Sequence, residues 1–424
     1  MNSPIANQQG IESPYAWMRL CAALALMTLG GAGMYTVTVV LPRVQSEFGV
    51  GRSGASLPYT LTMIGFALGG ILMGKLADRR GVMVPVVAGA LCLGSGLIVG
   101  GSATSLWQFG LVQGVMIGLL GTSATFAPLV ADTSLWFTRR RGIAVAICSS
   151  GNYLAGAIWP PVMQYFIDRA GWRHAYMGAG VFCILVMLPL ALALRRRAPV
   201  PLHDASETAT DTAPVRTGSE RPLGLSPGTL QVLLCIAGVS CCVAMSMPQV
   251  HIVAYCGDLG YGPARGAQML SLMLGFGIVS RLVSGWISDH IGGLRTLLLG
   301  SVLQGIALLL FLPFNGLVSL YVVSALFGLF QGGIVPSYTL IVREYFTPRE
   351  AGARIGTVLM ATLFGMALGG WMSGAIFDLT GSYHAAFLNG TAWNLVNVSI
   401  VLILLYRSRR QAPLNSLAIP ASRP

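Results

Sequence analysis

The stretch GKLADRRG at residues 74–81 recurs as GWISDHIG at residues 285–292, and this repetition decides the fold. The two copies are 211 residues apart (285 minus 74). A second pair, IDRAGWRHAYMGAG at 167–180 and FDLTGSYHAAFLNG at 377–390, is 210 residues apart (377 minus 167). Asp, Gly, His and Ala align within this second pair. A nearly constant offset along the chain predicts two halves with the same architecture.

The composition is that of a membrane protein. Of the 424 residues, 54% are hydrophobic and only 9% are charged, whereas soluble domains carry roughly 25% charged residues. Runs of about 20 apolar residues are long enough to cross a bilayer as helices. The sequence predicts such spans near 18–41, 57–77, 82–102, 107–130, 142–166, 174–194, 229–255, 267–288, 294–313, 317–342, 352–376 and 384–406.

A polar break from Arg195 to Ser226, rich in Pro, Ser and Thr, separates the sixth span from the seventh. Its composition is typical of a flexible linker. We therefore expect an all-α membrane protein in which twelve transmembrane helices form two pseudo-symmetric six-helix bundles. The predicted units are an N-terminal tail (1–17), a first bundle (18–194), a linker (195–228), a second bundle (229–406) and a C-terminal tail (407–424).

The distribution of basic residues predicts the orientation. With both termini on one side, twenty of the 26 Lys and Arg residues lie on that side, and five lie on the other: Arg43, Arg52, Arg169, Arg173 and Arg265. Cytoplasmic loops carry the excess of Lys and Arg, so both termini are expected in the cytoplasm. The net charge of +12 thus follows from membrane topology, and we expect no nucleic-acid partner, because that requires a clustered basic face.

Other classes of protein lack support in the sequence. The eight cysteines lie in or at the ends of apolar runs without metal or disulfide spacing, so they are interpreted as packing residues. No metal-binding pair, nucleophile elbow or phosphate-binding loop is present, so we expect no enzyme, metal or cofactor. We expect no cleavable signal peptide, because the first apolar run is longer than a signal-peptide core. Its arginine-rich, lysine-poor usage favours a bacterial inner membrane.

Arg281 is the one basic residue deep in a predicted span, since the others within the predicted bounds lie at most two residues from a span end. It belongs to LGFGIVSRLVSGWISDHIGG at 274–293 and lies eight residues before Asp289. About 12 Å of helix therefore separates it from the loop. Apart from Ile278 and Leu274, its neighbours on the helix face are small or polar, as on a surface that faces a cavity. Since no Asp or Glu is predicted in a span interior, Arg281 is interpreted as an anion-binding residue; the alternative is a residue that solvates carbonyls or pairs with Asp289 through water.

The pattern G-x-L-x-D-R-x-G, with its degenerate second copy, resembles the signature of the major facilitator superfamily. The resemblance implies a latch between helices on the cytoplasmic side, made by Gly74, Asp78, Arg79, Gly81, Gly285 and Asp289. In the family the aspartate caps a helix end, and the arginine is held by carboxylates or carbonyls. The sequence departs from the family at Val82 and Met83, where basic residues are usual. The alternative is a charged turn without this role.

Three stretches resemble the monocarboxylate and oxalate–formate branch, especially its bacterial monocarboxylate members. They are WFTRRRGIAVAICSSGNYLAGAIWPP at 136–161, HIVAYCGDLG at 251–260, and the segment around Arg281. The resemblance implies that Arg281 pairs with the substrate carboxylate and that His251 lines the site. The alternative for His251 is a histidine that hydrogen-bonds to a neighbour near the membrane surface.

Further candidates for the substrate site rest on weaker signals, and packing is the alternative for each. They are Tyr35, Thr122, Ser123, Thr125, Asn152 and Tyr338. Bacterial relatives have amide and tyrosine side chains in span four, where this chain has threonine and serine, and this departure puts those exact contacts in doubt. Asn394 and Asn397 of span twelve are predicted to hydrogen-bond between helices.

These features predict a monomeric secondary transporter for small organic monocarboxylate anions, which works by alternating access in the bilayer. A dicarboxylate needs a second cation; Lys75 is the only lysine, and span eleven has no interior charge. Protons are candidate coupling ions, although Gly277 replaces the aspartate that eukaryotic relatives use. The alternatives are an oxalate/formate-type antiporter, a drug or sugar porter, and, outside transport, a membrane sensor or receptor.

Overall fold

A computed structural model describes residues 12–137, 139–196 and 222–416. Within these residues, twelve helical spans are long and apolar enough to cross a membrane, which confirms the predicted number. Their bounds are Pro14–Phe48, Arg52–Arg80, Met83–Gly101, Leu106–Trp136, Arg141–Ala170, Trp172–Leu192, Pro227–Asp258, Pro263–Ile291, Gly293–Leu310, Leu317–Tyr345, Glu350–Thr380 and Tyr383–Arg410. The helices of the last two spans run Pro348–Thr380 and Tyr383–Ser416. Most of the predicted linker lies outside the described residues.

An even number of spans places the start of span one and the end of span twelve on the same membrane face. We call this the terminal face and the other the opposite face. Odd-numbered spans run from the terminal face to the opposite face, and even-numbered spans return. The predicted latch loops, after spans two and eight, therefore lie on the terminal face.

Spans four and ten are broken at equivalent points of the repeat. In span four a π-helical segment, Val112–Gly121, passes into a 3-10 turn, Thr122–Thr125. In span ten the α-helix Leu317–Gln331 ends and a second one, Ile334–Tyr345, begins. Gly121 and Gln331 are 210 residues apart (331 minus 121), the offset of the repeat. Broken helices are common at the substrate sites of transporters built from two repeats, because they leave backbone groups free to bind.

Buried hydrogen bonds join the helices inside each half. In the first half, Gln113 Nε2 donates to the Tyr176 hydroxyl over 3.0 Å. In the second half, Asn394 Nδ2 donates to Gln304 Oε1 over 2.9 Å, and Asn397 Nδ2 donates to Ser301 Oγ over 2.8 Å. The interhelical role predicted for the two asparagines is confirmed. In an apolar interior such bonds fix the register of neighbouring helices.

Two arginines that the sequence placed at or beyond the ends of spans are buried in the structure. Arg19 is 2% exposed and Arg52 is 7% exposed. Arg19 lies at the edge of the predicted span 18–41, but the helix begins at Pro14, which places Arg19 about one and a half turns inside it. Arg19 forms an ion pair with Asp132 of span four at 2.9 Å, and Arg52 pairs with Asp258. A buried charge is tolerated where such a counter-ion accompanies it.

Candidate functional site

Arg281 lies where span eight of the second half meets span five of the first. Its Nη1 donates a hydrogen bond to the carbonyl of Ser149 over 3.0 Å. Its Cζ lies 4.5 Å from the centroid of the Tyr153 ring, within cation–π range. Ser149 and Tyr153 are four residues apart and thus share one helix face. The guanidinium is therefore held between the two halves by span five.

The positive charge of Arg281 has no carboxylate partner in the described part of the chain. The ion pairs found there all involve other arginines: Arg19 with Asp132, Arg52 with Asp258, Arg173 with Glu47, and Arg354 with Glu350. In addition, the buried Nε of Arg281 has no hydrogen-bond partner. A planar guanidinium with a free donor and no counter-ion is a natural binding group for a carboxylate.

Gly277, which lies four residues before Arg281 in span eight, leaves room for the Tyr153 ring of span five. A Cβ built at Gly277 would lie 2.5 Å from Cδ1 of that ring, closer than carbon atoms approach each other. The absence of a side chain at this position thus lets Tyr153 pack beside span eight. The Tyr153 ring occupies the space that the side chain of an aspartate at position 277 would need.

Tyr35 also approaches this site from span one. A Cβ built at Gly156 of span five would lie 2.8 Å from Cζ of Tyr35. Asn152, the residue predicted for the site in span five, is only half-buried. The residue that contacts Arg281 is its neighbour Tyr153, which the sequence analysis did not select.

The three predicted residues of span four all lie in its 3-10 turn. Thr125 Oγ1 donates to the carbonyl of Thr122 over 2.9 Å, and Ser123 Oγ donates to the carbonyl of Leu119. The hydroxyl of Thr122 is buried without a partner, and a Cβ built at Gly33 of span one would lie 2.6 Å from it. Of the three, Thr122 therefore has a side chain with unused hydrogen-bonding capacity.

His251 lies inside the second half, where both of its ring nitrogens have partners. Nε2 is 2.8 Å from the carbonyl of Gly370 in span eleven, and Nδ1 is 3.3 Å from the hydroxyl of Tyr383 in span twelve. The side chain is fully buried. The structure therefore places His251 as a junction of spans seven, eleven and twelve, and a contact with substrate requires one partner to be released.

Tyr338 is buried in the second half, and its hydroxyl donates to Asn397 Oδ1 over 3.0 Å. This bond directs the phenol toward span twelve. The structure therefore does not bring Tyr338 together with Arg281 through any contact between the described residues.

The predicted latch residues are spread along the terminal face. Gly81 ends span two with φ +85°, a conformation that favours glycine. Asp78 and Asp289 are exposed, as is Arg79, and within the described residues none of the three forms a hydrogen bond or an ion pair. Cβ atoms built at Gly74 and Gly285 would meet no atom within 4 Å. The latch contacts stay a prediction for a state in which the halves meet at this face.

Comparison with known proteins gives three kinds of match. A family model described as Major Facilitator Superfamily matches residues 23–318 and 288–423. Monocarboxylate transporter 13 of Rattus norvegicus is 28% identical over 353 residues, or 82% of this chain and 78% of the rat protein. Monocarboxylate transporter 12-B of Danio rerio is 24% identical over 445 residues, or 96% and 91% of the two chains.

Solved structures give a matching fold. The crystal structure of a bacterial homolog of the human lysosomal transporter Spinster, inward-facing and occupied, superimposes with a TM-score of 0.70. The two sequences are 15% identical, and the match covers 94% of this chain and 98% of the other. At that identity the likeness concerns the arrangement of helices alone.

Proposed function

Because the chain belongs to the major facilitator superfamily, we propose that it transports small organic monocarboxylate anions by alternating access, with Arg281 binding the carboxylate. The observation that carries the proposal is the position of Arg281 between the two halves, with a free Nε and no carboxylate partner among the described residues. A ligand bound there contacts both halves, so its binding is coupled to their relative movement.

The number of available cations favours a single carboxylate. The buried arginines of the described residues, Arg19 and Arg52, are each paired with an aspartate. Only Arg281 is left to neutralise an anion. The names of the rat and zebrafish relatives, both monocarboxylate transporters, agree with this substrate class. An oxalate-type dianion would leave one charge without a partner in an apolar interior, which is costly.

Proton coupling is a further part of the proposal. An anion that moves together with one proton is electroneutral, and such a cycle is not opposed by the membrane potential. Since Tyr153 packs against Gly277, the proton has two carriers: the carboxylic acid itself, or His251, whose type of side chain exchanges protons near neutrality. Uptake driven by a pH gradient in proteoliposomes, compared between wild type and His251→Gln, tests this part.

The orientation and location also belong to the proposal. The excess of Lys and Arg on the terminal face supports a cytoplasmic location for both termini. A bacterial inner membrane and a monomeric state are proposed with it. Labelling of single cysteines at exposed loop positions by a membrane-impermeant reagent in intact cells checks the orientation.

Counterflow in proteoliposomes tests the role of Arg281. We expect Arg281→Ala and Arg281→Lys to abolish exchange, because lysine lacks the planar fork of donors that binds a carboxylate. Arg265→Ala is the matched control, since Arg265 is an exposed arginine at the start of the same helix. A thermal-shift screen with lactate, pyruvate, acetate, formate and oxalate identifies the substrate. Normal exchange by Arg281→Ala would refute the assignment.

A further inference from the structure

The polar contacts between the two halves are distributed unevenly across the membrane. Within the described residues they run from the middle of the spans, at Arg281 and Ser149, to the opposite face. Thr60 of span two donates to the carbonyl of Ala367 in span eleven over 3.1 Å. Ser271 of span eight likewise donates to the carbonyl of Ala157 in span five. No hydrogen bond or ion pair among these residues joins the halves nearer the terminal face.

The strongest of these contacts is a helix cap supplied across the interface. Asp378, near the end of span eleven, accepts hydrogen bonds at the first turn of span two. The donors are the backbone N–H of Arg52 at 2.7 Å, the backbone N–H of Ser53 at 2.9 Å, and the Ser53 hydroxyl at 2.6 Å. An N-cap side chain normally comes from the residue just before the helix. Here that residue is Gly51, which has no side chain, so the other half provides the cap.

The side chain of Arg52 adds a second link to the other half. Its Nη2 donates to Asp258, at the end of span seven, over 2.6 Å. Its Cζ lies 5.2 Å from the centroid of the Phe377 ring in span eleven. Nε and Nη1 are buried without hydrogen-bond partners. The first residue of span two is therefore bound to spans seven and eleven, and separating the halves would expose its charge to water.

Glycines make this close approach possible. A Cβ built at Gly374 of span eleven would lie 2.8 Å from the carbonyl carbon and oxygen of Arg52, and one built at Gly51 would lie 2.6 Å from Asp378 Oδ2. Toward the terminal face the same two spans offer open space: Cβ atoms at Gly70, Gly74, Gly352 and Gly356 would meet no atom within 4 Å. Spans two and eleven thus meet at the opposite face.

We propose that Arg52, Asp258 and Asp378 form a gate that holds the opposite face closed in this conformation and must open when the site faces that side. The gate rests on alternating access but not on the identity of the substrate. It combines a charge pair with a helix cap, so opening it removes the counter-ion of Arg52 and the cap of span two in one step. Its contribution to the closed state therefore depends on both aspartates.

Distance measurements by electron paramagnetic resonance in the absence of substrate test the gate. Spin labels at Ser46→Cys and Ala264→Cys report on the opposite face, since both positions are exposed and belong to different halves. The exposed Cys21 is replaced by serine. We expect Arg52→Gln and Asp378→Ala each to raise the population with a long label distance by about tenfold, as for the loss of a hydrogen bond to a charged group. Asp378→Asn, which can still cap the helix, should restore part of the closed population.

The matched control is Glu47→Gln. It removes the ion pair of Glu47 with Arg173, whose atoms are 2.7 Å apart, on the same face but within the first half. The control should leave the distance distribution unchanged. The proposal would be overturned if the gate variants had the same distribution of label distances as the wild type. It would also be overturned if Glu47→Gln shifted the distribution as much as the gate variants do. If Asp378→Ala does not fold, Asp258→Asn, which disrupts only the charge pair, decides the outcome. The label distances are measured without substrate and without a transport assay. The result therefore does not depend on whether the proposed function is correct.

Discussion

Replacing Gly277 by alanine tests whether the Tyr153 ring is fitted against span eight beside Arg281. A Cβ at Gly277 would lie 2.5 Å from Cδ1 of the ring, whereas non-bonded carbon atoms rest about 3.5–4.0 Å apart. The ring must therefore move by about 1 Å, and Arg281, whose Cζ is 4.5 Å from the ring centroid, rests on it. Overpacking of this kind costs about 1–3 kcal/mol.

The measurement is the free energy of unfolding of the purified protein in mixed micelles, for Gly277→Ala, Tyr153→Ala and the double variant. In the Tyr153 background we expect alanine at position 277 to lower it by about 1–3 kcal/mol. In the Tyr153→Ala background the clash is gone, and the higher helix propensity of alanine should give a change between zero and a gain of about 1 kcal/mol. The coupling between the two positions is the difference between the effect of Gly277→Ala with Tyr153 present and its effect in the Tyr153→Ala protein.

Gly275→Ala is the control on the same helix, because a Cβ there would meet no atom within 4 Å. It should be neutral or slightly stabilising. An equal effect of Gly277→Ala with and without the Tyr153 ring would refute the reasoning. Substrate affinity provides a second readout: we expect Gly277→Ala to weaken binding, because the displaced ring no longer supports the guanidinium.

Three further predictions concern buried polar groups. Asp132→Ala should lower the free energy of unfolding by about 3–5 kcal/mol, because it leaves the Arg19 charge unpaired, and the double variant Arg19→Met/Asp132→Leu should recover most of this loss. Asn397→Leu should cost about 1–3 kcal/mol in the same measurement by depriving buried hydroxyls of partners, while transport per folded molecule stays within about twofold. His251→Ala should weaken substrate binding measured by calorimetry. Tyr383→Phe, which removes the hydroxyl next to Nδ1 of His251, should leave binding unchanged. Unchanged binding in both variants would show that His251 is not part of the substrate site.

The sequence predicted the architecture because the bilayer imposes simple rules. Every backbone group must be satisfied inside a span, so apolar length identifies the helices, and the duplicated motifs identify the two halves. The burial of Arg19 escaped prediction because the start of span one depends on local capping by Ser13 rather than on hydrophobicity. The number of spans was therefore predictable, while their ends were less so.

The candidate site was predicted only in part. Arg281 could be found because a charge inside an apolar run is costly and conspicuous. Asn152 was predicted in span five, but its neighbour Tyr153 contacts Arg281, because which of the two faces the site depends on how span five is rotated against span eight. His251 was found by resemblance, but its partners Gly370 and Tyr383 are more than 100 residues away in the chain.

The sequence by itself determined a twelve-span protein of two related halves, with one arginine deep in span eight. Those properties follow from composition and from the spacing of residues along single helices, which local physics controls. The tertiary structure decided which groups meet across the halves: Tyr153 with Arg281, and Asp378 with the first turn of span two. Such contacts depend on how two bundles rotate and close against each other, and no local pattern encodes that arrangement.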